Sequence, residues 1–422
     1  MKRLQRNFAA SRAEQHRQDH PIPTKVDGPS FDIMQPFIFN TVRSIISESG
    51  SLAQIAQVCQ RNGISRPLIV TDPGIEKLGL LKNLEDHLQA ADVPFASYTQ
   101  VVADPPESVV LEAVDAAKQQ GADGIIGFGG GSSMDTAKLV ALLANSEEQL
   151  QDIYGVDQVK GKRLPLIMIP TTAGTGSEVT AVAIVTTGET TKMGVVSAEL
   201  FADVAILDAE LTLGLPAHIT AMTGVDAMVH AVEAYTSIHK KNPYTDMLAK
   251  EALRLMSANI ATATHQGSNA EARQAMLLGA CLAGQAFANA PVAAVHALAY
   301  PLGGHYHLPH GLTNSLVLPH VLRFNTSACS EWYAELAEIL VPADQLAAST
   351  TARAEQLAEY FDDLIAELKL PSTLAEAKVP GDDLPMLARD AMLQQRLLVN
   401  NPRPVEEADA LAIYQSAYEG TK

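Results

Sequence analysis

The stretch GADGIIGFGGGSSMDTAK, residues 121–138, decides the fold. A short apolar run is followed by three glycines and then by small polar residues that open a helical pattern. This order predicts a buried strand, a tight turn and a helix. Glycines let a backbone approach an anion closely, and the N-terminus of the helix offers free N–H groups. The stretch therefore predicts a phosphate-binding turn, although a glycine-rich turn by itself is a weak signal.

The flanking segments extend this pattern into a domain. RPLIVTD (66–72) and LPLIMIP (164–170) read as buried strands, and ESVVLEAVDAAKQQ (107–120) reads as a helix. Strands that alternate with helices predict an α/β domain with a parallel, doubly wound sheet over residues 35–213. After this point strand signals nearly vanish, so residues 214–422 are expected to form an all-helical domain. Residues 1–34 read as a polar N-terminal extension or an amphipathic helix, and a targeting segment is the less favoured alternative.

Composition narrows the class of protein. The 422 residues suggest two domains, and 30 basic against 48 acidic residues give a net charge of −18. Such a surface disfavours nucleic acid and anionic membranes as partners. No run of eighteen apolar residues predicts a membrane span. The three cysteines show no CxxC spacing, which favours a reducing compartment and a cytoplasmic location.

A second small-residue loop strengthens the case for a nucleotide. PTTAGTGSEVT (170–180) supplies hydroxyls at Thr171, Thr172 and Thr175. Asp72 ends an earlier strand, where a carboxylate can accept the ribose hydroxyls of NAD and repel the 2′-phosphate of NADP. This acid precedes the glycine turn, so the order differs from the usual dinucleotide fingerprint. A dinucleotide is nevertheless the ligand that best explains two loops and an acid.

Four other side chains predict a metal site. Asp226 and His230 are four residues apart in a helical, mostly apolar stretch, so they share one face of the helix. The segment VHALAYPLGGHYHLPHG (295–311) adds His296 and His310. One carboxylate and three imidazoles without a thiolate suit Fe(II), Zn(II), Co(II) or Ni(II). A metal at this position can act as a Lewis acid on an alcohol or carbonyl oxygen.

Taken together, these motifs resemble the iron-containing (group III) alcohol dehydrogenases. The likeness runs from about residue 35 to the C-terminus and includes GGGSSMD (129–135), LPAHITAMTGVDAMVHAVEAY (215–235) and NPRPV (401–405). The resemblance implies an enzyme that interconverts a primary or small alcohol and its aldehyde or ketone with NAD(H). It implies homodimers or larger assemblies, and Fe²⁺ (or Zn²⁺) bound by Asp226, His230, His296 and His310. It also implies cofactor contacts at Asp72, Gly130, Gly131, Ser132, Asp135, Thr171, Thr172, Thr175 and Lys192.

The chain departs from this family at one position near the metal. Tyr300 stands where many members have a histidine four residues after the third ligand. A tyrosine is a poor base because its reference pKa lies near 10. His305 and His307 could instead accept a proton at the mouth of the cleft, although a solvated surface pair explains them as well. The candidate catalytic residues are His310, Tyr300 and His305.

Two other functions use the same fold. A hydroxyacid–oxoacid transhydrogenase would hold NAD tightly, and some of these relatives also carry a tyrosine at the Tyr300 position. A dehydroquinate-synthase-like lyase needs a basic pocket, and the segments around the metal ligands contain no cluster of Lys or Arg. Apolar Phe287, Val292 and Leu298 flank the third ligand, which favours small or medium aliphatic substrates.

Overall fold

Short apolar strands form the centre of the computed structural model, which describes residues 36–188 and 191–420. In this part of the chain the strands are β1 (Ser44–Ser47), β2 (Pro67–Val70), β3 (Ala96–Tyr98), β4 (Gly124–Gly129), β5 (Gly155–Val156), β6 (Leu166–Pro170), β7 (Val182–Thr187), β8 (Thr191–Val196) and β9 (Val204–Leu207). Six of them form a parallel sheet in the order β1-β9-β6-β4-β2-β3. The other three form a small sheet in which β7 and β8 are antiparallel.

Both faces of the parallel sheet are covered by helices. All residues of β2 and β4 are buried, and their side chains alternate between two apolar clusters. Leu68 packs with residues of the helix over 107–120 on one face, whereas Ile69 packs with residues of the helix over 80–90 on the other. This explains why these strands read as continuous apolar runs. The predicted doubly wound sheet is confirmed.

Helices dominate the chain after β9. The α-helices of the described residues are α1 (Ile55–Arg61), α2 (Pro73–Lys77), α3 (Leu80–Ala90), α4 (Glu107–Gln120), α5 (Gly131–Leu143), α6 (Ala217–Thr236), α7 (Pro243–His265), α8 (Ala270–Asn289), α9 (Ala294–Tyr306), α10 (His310–Leu340), α11 (Thr350–Glu367), α12 (Leu384–Ala391), α13 (Gln395–Leu398) and α14 (Glu407–Glu419). No strand follows β9 within the described residues, so the predicted helical half is confirmed.

The sheet and the later helices belong to one compact unit, Phe37–Lys422. Leu277 and Cys281 of α8 pack in the same apolar cluster as the sheet and α5. The predicted boundary near residue 213 falls inside this unit and stays a prediction. The predicted extension, residues 1–34, lies outside the described residues.

One close contact between helices positions the later site. A Cβ atom placed on Gly311 would lie 2.3 Å from the carbonyl oxygen of Met222. The start of α10 therefore touches the backbone of α6, which only a glycine permits. As a consequence His310, the first residue of α10, lies beside α6.

None of the described helices is by itself long and apolar enough to cross a membrane. Helices α8 and α9 reach that length and composition only as a pair, and they are bent by 105° at the break between them.

We expect the sheet core to control stability. Phe128 is fully buried in β4, so Phe128→Ala should lower the free energy of unfolding by about 3–5 kcal/mol. Leu111→Ala on the exposed side of α4 is the control and should cost about 0.5 kcal/mol or less. Denaturant unfolding of both variants measures the difference. Equal losses in the two variants would contradict this account of the core.

Candidate metal centre and cofactor loops

Four possible ligands meet where α6, α9 and α10 come together. Oδ1 of Asp226 lies 3.9 Å from Nε2 of His230, which is one turn further along α6. The same oxygen lies 4.0 Å from Nε2 of His296 and 3.8 Å from Nε2 of His310. All four candidate ligand atoms lie within 4.8 Å of one another. The structure thus brings together the four side chains that the sequence predicts as ligands, from three separate helices.

The charge of this donor cluster is negative. Asp226, His230 and His296 are buried, whereas 42% of the His310 side chain is exposed. Burial lowers the pKa of His230 to about 3, although Asp226 opposes the effect. Burial alone would raise the pKa of Asp226, but the neighbouring imidazoles outweigh it and the pKa is lowered. At neutral pH an ionised carboxylate therefore faces a neutral His230 with a free lone pair. Burying such a charge is costly without a cation.

The contacts of the Asn314 amide indicate that a cation fits the cluster. Its Nδ2 lies 2.5 Å from Oδ1 of Asp226, 3.2 Å from Nε2 of His296 and 3.3 Å from Nε2 of His310. One amide group thus faces three acceptor atoms. Its own Oδ1 is buried without a hydrogen-bond partner among the described residues. A divalent cation would satisfy all the acceptors at once, and the nitrogen and oxygen donors suit Fe(II) or Zn(II).

Glu233 supports the cluster, and the sequence reasoning missed it. This carboxylate is buried, and its Oε2 lies 2.6 Å from Nδ1 of His296. Its Oε1 accepts a hydrogen bond from the backbone N–H of Val295 at 2.6 Å. A carboxylate on Nδ1 leaves the lone pair of Nε2 free for a metal and fixes the ring. The available signal was its position, because Glu233 lies seven residues after Asp226 on the same helix face.

The glycine turn joins β4 to α5 as predicted. Gly129 has a φ of +145°, and a Cβ atom there would lie 2.8 Å from Oγ of Ser133. A larger residue would therefore be strained at this position. Gly130 is the N-cap of α5, and Gly131 and Ser132 form its first turn. Backbone N–H groups at the start of a helix have no partner within the helix, so this end can bind phosphate.

Asp72 is fixed next to the glycine turn. It follows β2, the neighbour of β4 in the sheet. Oδ1 caps α2 by accepting the N–H groups of Gly74 at 2.9 Å and Ile75 at 3.1 Å. Oδ2 accepts the hydroxyl of Ser133 at 3.0 Å. The carboxylate is thereby held at the carboxyl edge of the sheet, where nucleotides bind in open α/β sheets.

The threonine loop faces the glycine turn. Thr171, Thr172 and Thr175 follow β6, which pairs with β4. A Cβ atom on Gly131 would lie 3.0 Å from Cγ2 of Thr175, and one on Gly130 would lie 3.8 Å from Oγ1 of Thr172. Side chains at these two glycines would fill the space between the loops. Predicted cofactor positions of the two loops, Gly130 with Thr172 and Gly131 with Thr175, therefore lie next to one another.

Asp135 has a role within the protein itself. Its Oδ1 accepts the hydroxyl of Ser177 at 2.6 Å, and its Oδ2 accepts the N–H of Ile184 at 3.0 Å. Lys138, which is fully buried, lies 3.3 Å from Oδ1 and donates to Val182 O at 2.7 Å. These bonds connect α5 to the threonine loop and β7. Lys138 was not singled out as a site residue from the sequence, and the predicted cofactor contact of Asp135 stays a prediction.

Tyr300 borders the donor cluster. Its ring centroid lies 6.4 Å from that of His296 and 5.9 Å from that of His310. Burial raises the pKa of Tyr300, and the neighbouring Arg396 opposes the effect only in part. The hydroxyl is therefore protonated at neutral pH, so it can donate a hydrogen bond but does not act as a base.

The other predicted side chains lie further from the cluster. His305, on the last turns of α9, has its Nε2 2.6 Å from Oδ2 of Asp390. His307 is exposed and ends α9 in a left-handed conformation with a φ of +53°. Lys192 bonds to Asp104 at 2.5 Å. Burial lowers the pKa of His310, and the charge of Lys192 adds a smaller effect in the same direction.

Known proteins share both halves of this architecture. The family model described as "Iron-containing alcohol dehydrogenase" matches residues 43–209. The model described as "Fe-containing alcohol dehydrogenase family, C-terminal" matches residues 220–418. The chain is 40% identical over 385 residues to the sulfoacetaldehyde reductase of Bilophila wadsworthia, covering 91% of this chain and 99% of that protein.

Solved structures also match the fold of this chain. A 1,3-propanediol oxidoreductase superposes with a TM-score of 0.88 at 34% identity, covering 91% of this chain and 100% of the other. The sulfoacetaldehyde reductase from Bifidobacterium kashiwanohense, solved in complex with NAD⁺, has a TM-score of 0.82 at 26% identity, covering 91% and 99%.

The chain therefore belongs to the iron-containing alcohol dehydrogenase family. The predicted resemblance, fold class and enzyme class are confirmed. The enzyme is an oxidoreductase that interconverts alcohols and their carbonyl compounds. The alternative of a dehydroquinate-synthase-like lyase, which the sequence already disfavoured, gains no support from these relatives.

We predict that Glu233→Gln weakens metal binding without unfolding the protein. The amide cannot hold the His296 ring as a carboxylate does, so the affinity for Zn(II) should fall about 10- to 100-fold. Competition with a chelating dye measures this affinity. Glu331→Gln on the exposed face of α10 is the matched control and should bind Zn(II) like the unchanged protein. Unchanged affinity in Glu233→Gln would show that Glu233 does not position His296.

Proposed function

We propose that this enzyme interconverts a small alcohol and its aldehyde or ketone by hydride transfer to and from NAD(H), with one Fe(II) or Zn(II) ion at the donor cluster. The observation that carries the proposal is the buried, negatively charged cluster of one carboxylate and three imidazoles. We assign the ion to Asp226, His230, His296 and His310. The exposed edge of His310 leaves one side of the cluster open to a substrate.

Each group has a distinct part in the chemistry. The ion, when bound, supplies Lewis acidity that favours the alkoxide form of an alcohol and polarises a carbonyl group. NAD(H) supplies the hydride acceptor or donor. The protein holds the reactants close together, which removes much of the entropic barrier. Tyr300 can donate a hydrogen bond near the cluster, whereas His305 is held by Asp390 and is better suited to a structural contact than to proton transfer.

The two loops support NAD as the cofactor. The start of α5 can hold a phosphate, and Thr172 and Thr175 lie next to its first residues. The Asp72 carboxylate lies at the end of the turn, where it can accept ribose hydroxyls and repel a 2′-phosphate. Asp135 supports the threonine loop and β7 by accepting hydrogen bonds from Ser177 and Ile184. We assign the cofactor contacts to Asp72, Gly130, Gly131, Ser132, Thr171, Thr172, Thr175 and Lys192.

The names of the relatives suggest two kinds of substrate. One structure is a 1,3-propanediol oxidoreductase, whose named substrate is neutral, and the curated relative is a sulfoacetaldehyde reductase, whose named substrate is an anionic aldehyde. Both compounds are short. We propose a short alcohol or aldehyde as the substrate of this chain, which matches the size expected from the apolar residues around His296.

We also propose a cytoplasmic homodimer. The three cysteines are free and buried, which supports a reducing compartment. Ile38, Tyr244 and Met247 are exposed apolar side chains, and the Phe37 ring lies 5.7 Å from that of Tyr244. An exposed apolar patch of this kind supports self-association.

Asp226→Asn tests the metal-dependent reaction. Loss of the only charged ligand should remove the metal and lower kcat/KM for alcohol oxidation by about 100-fold or more. Metal analysis and NADH absorbance with a panel of short alcohols measure both effects. Asp115→Asn, on the exposed face of α4, is the control. Full metal content and rate in Asp226→Asn would sink the ligand assignment, and turnover without added NAD would favour the transhydrogenase.

Asp72→Ser tests the choice of cofactor. Serine still caps α2, but it no longer repels a 2′-phosphate, so the preference for NAD over NADP should fall about tenfold or more. The measurement is kcat/KM for each cofactor at a fixed alcohol concentration. An unchanged preference would mean that Asp72 does not contact the adenosine ribose.

A further inference from the structure

A cavity of about 280 Å³ opens beside the donor cluster. Its wall combines residues from β8, α9 and α13 with residues near the end of α12. The polar and charged side chains that line it are Thr191, Lys192, Tyr300, His305, Asp390, Gln394 and Arg396. These positions are scattered over two hundred residues of sequence, so no local motif marks the cavity.

The cavity is adjacent to the place where the reaction is proposed to occur. Tyr300 forms part of its wall, and the same ring lies 5.9 Å from the ring of His310. Lys192 lines the same cavity from β8. A substrate whose oxygen sits at the donor cluster can therefore extend its other end into this cavity.

The charged side chains of the wall differ in whether they have an ion-pair partner. Lys192 bonds to Asp104 at 2.5 Å, and His305 bonds to Asp390 at 2.6 Å. Among the described residues Arg396 has no carboxylate within ion-pair distance, and its guanidinium lies beside the hydroxyl of Tyr300. Of the cationic side chains on this wall, Arg396 is the one that no described carboxylate pairs with.

We propose that Arg396 determines substrate specificity by binding an anionic group, a carboxylate or a sulfonate, at the far end of the alcohol or aldehyde. The proposal rests on the proposed function, because it places the reacting oxygen at the donor cluster. The planar guanidinium matches two oxygens of such a group. The Tyr300 hydroxyl, which is protonated, can donate a further hydrogen bond to the same group.

This assignment explains why a tyrosine stands at position 300, where many family members have a histidine. A neutral phenol beside an arginine can donate to an anion without changing its protonation state at neutral pH. It also refines the expectation of an aliphatic substrate. Apolar Phe287 borders the donor cluster, with its ring 4.4 Å from that of His230, whereas the polar cavity lies on the side of Tyr300.

The test compares anionic and neutral aldehydes in the metal-loaded enzyme. Sulfoacetaldehyde, succinic semialdehyde and propanal are reduced by NADH, which transfers a hydride to the carbonyl carbon while the oxygen takes up one proton. We expect Arg396→Gln to lower kcat/KM for the preferred anionic aldehyde by about 10- to 100-fold, through KM, and so to reduce its ratio to propanal. Arg396→Lys should recover part of that ratio. The two anions distinguish sulfonate from carboxylate.

Arg389→Gln is the matched control, because Arg389 is exposed on α12 and does not line the cavity. It should leave the ratio unchanged. A second measurement is independent of turnover: ethanesulfonate and propionate are titrated calorimetrically into the enzyme–NADH complex, and Arg396→Gln should weaken the tighter anion by about 10- to 100-fold.

Two results would overturn the proposal while the proposed function stands. One is reduction of propanal with no preference for either anion, and the other is an anion-to-propanal ratio that survives in Arg396→Gln. If the metal-loaded enzyme reduces none of the aldehydes, the proposed function fails. If anions still bind in that case and Arg396→Gln weakens their binding, the cavity binds anions independently of the reaction, and only the proposed function is overturned.

Discussion

The buried carboxylate of Asp226, surrounded by three imidazoles, is the constraint on which the rest of the site depends. Water is excluded from most of this cluster, and burial lowers the pKa of His230, so this imidazole does not balance the charge of the buried carboxylate. The helices nevertheless hold these groups together. Gly311 lets α10 approach α6, and Glu233 fixes the ring of His296 from behind. The arrangement is costly without a cation and favourable with one, which explains why polar side chains occupy the interior of an apolar helical bundle.

The sheet places the second reactant next to this cluster. Parallel strands end at one edge, so the glycine turn after β4, the threonine loop after β6 and Asp72 after β2 come together there. Lys138 and Asp135 tie α5, which follows the glycine turn, to Ser177 of the threonine loop through hydrogen bonds. A nucleotide held at that edge can reach the helical half because both halves share one compact unit. The fold thus supplies proximity, while the metal and the cofactor supply the chemistry.

Local patterns in the sequence were sufficient for the architecture but not for the whole site. Apolar runs predicted the strands, and the four-residue spacing of Asp226 and His230 predicted a shared helix face. Glu233 was missed because a glutamate in a helix is usually solvated, and only its burial beside His296 distinguishes it. Arg396 was missed for a different reason. The segments around the metal ligands contain no cluster of Lys or Arg, whereas the fold brings this arginine to Tyr300 from almost one hundred residues away.

The central claim is that the cluster binds one divalent ion through one carboxylate and three imidazoles. X-ray absorption spectroscopy at the zinc edge of the Zn(II)-reconstituted enzyme tests it most directly, together with the metal content per chain. We predict one zinc ion per chain, nitrogen and oxygen ligands only, and the scattering pattern of three imidazoles at about 2.0–2.1 Å. Zinc bound in less than stoichiometric amounts, a sulfur ligand, or a spectrum without imidazole scattering would contradict the account.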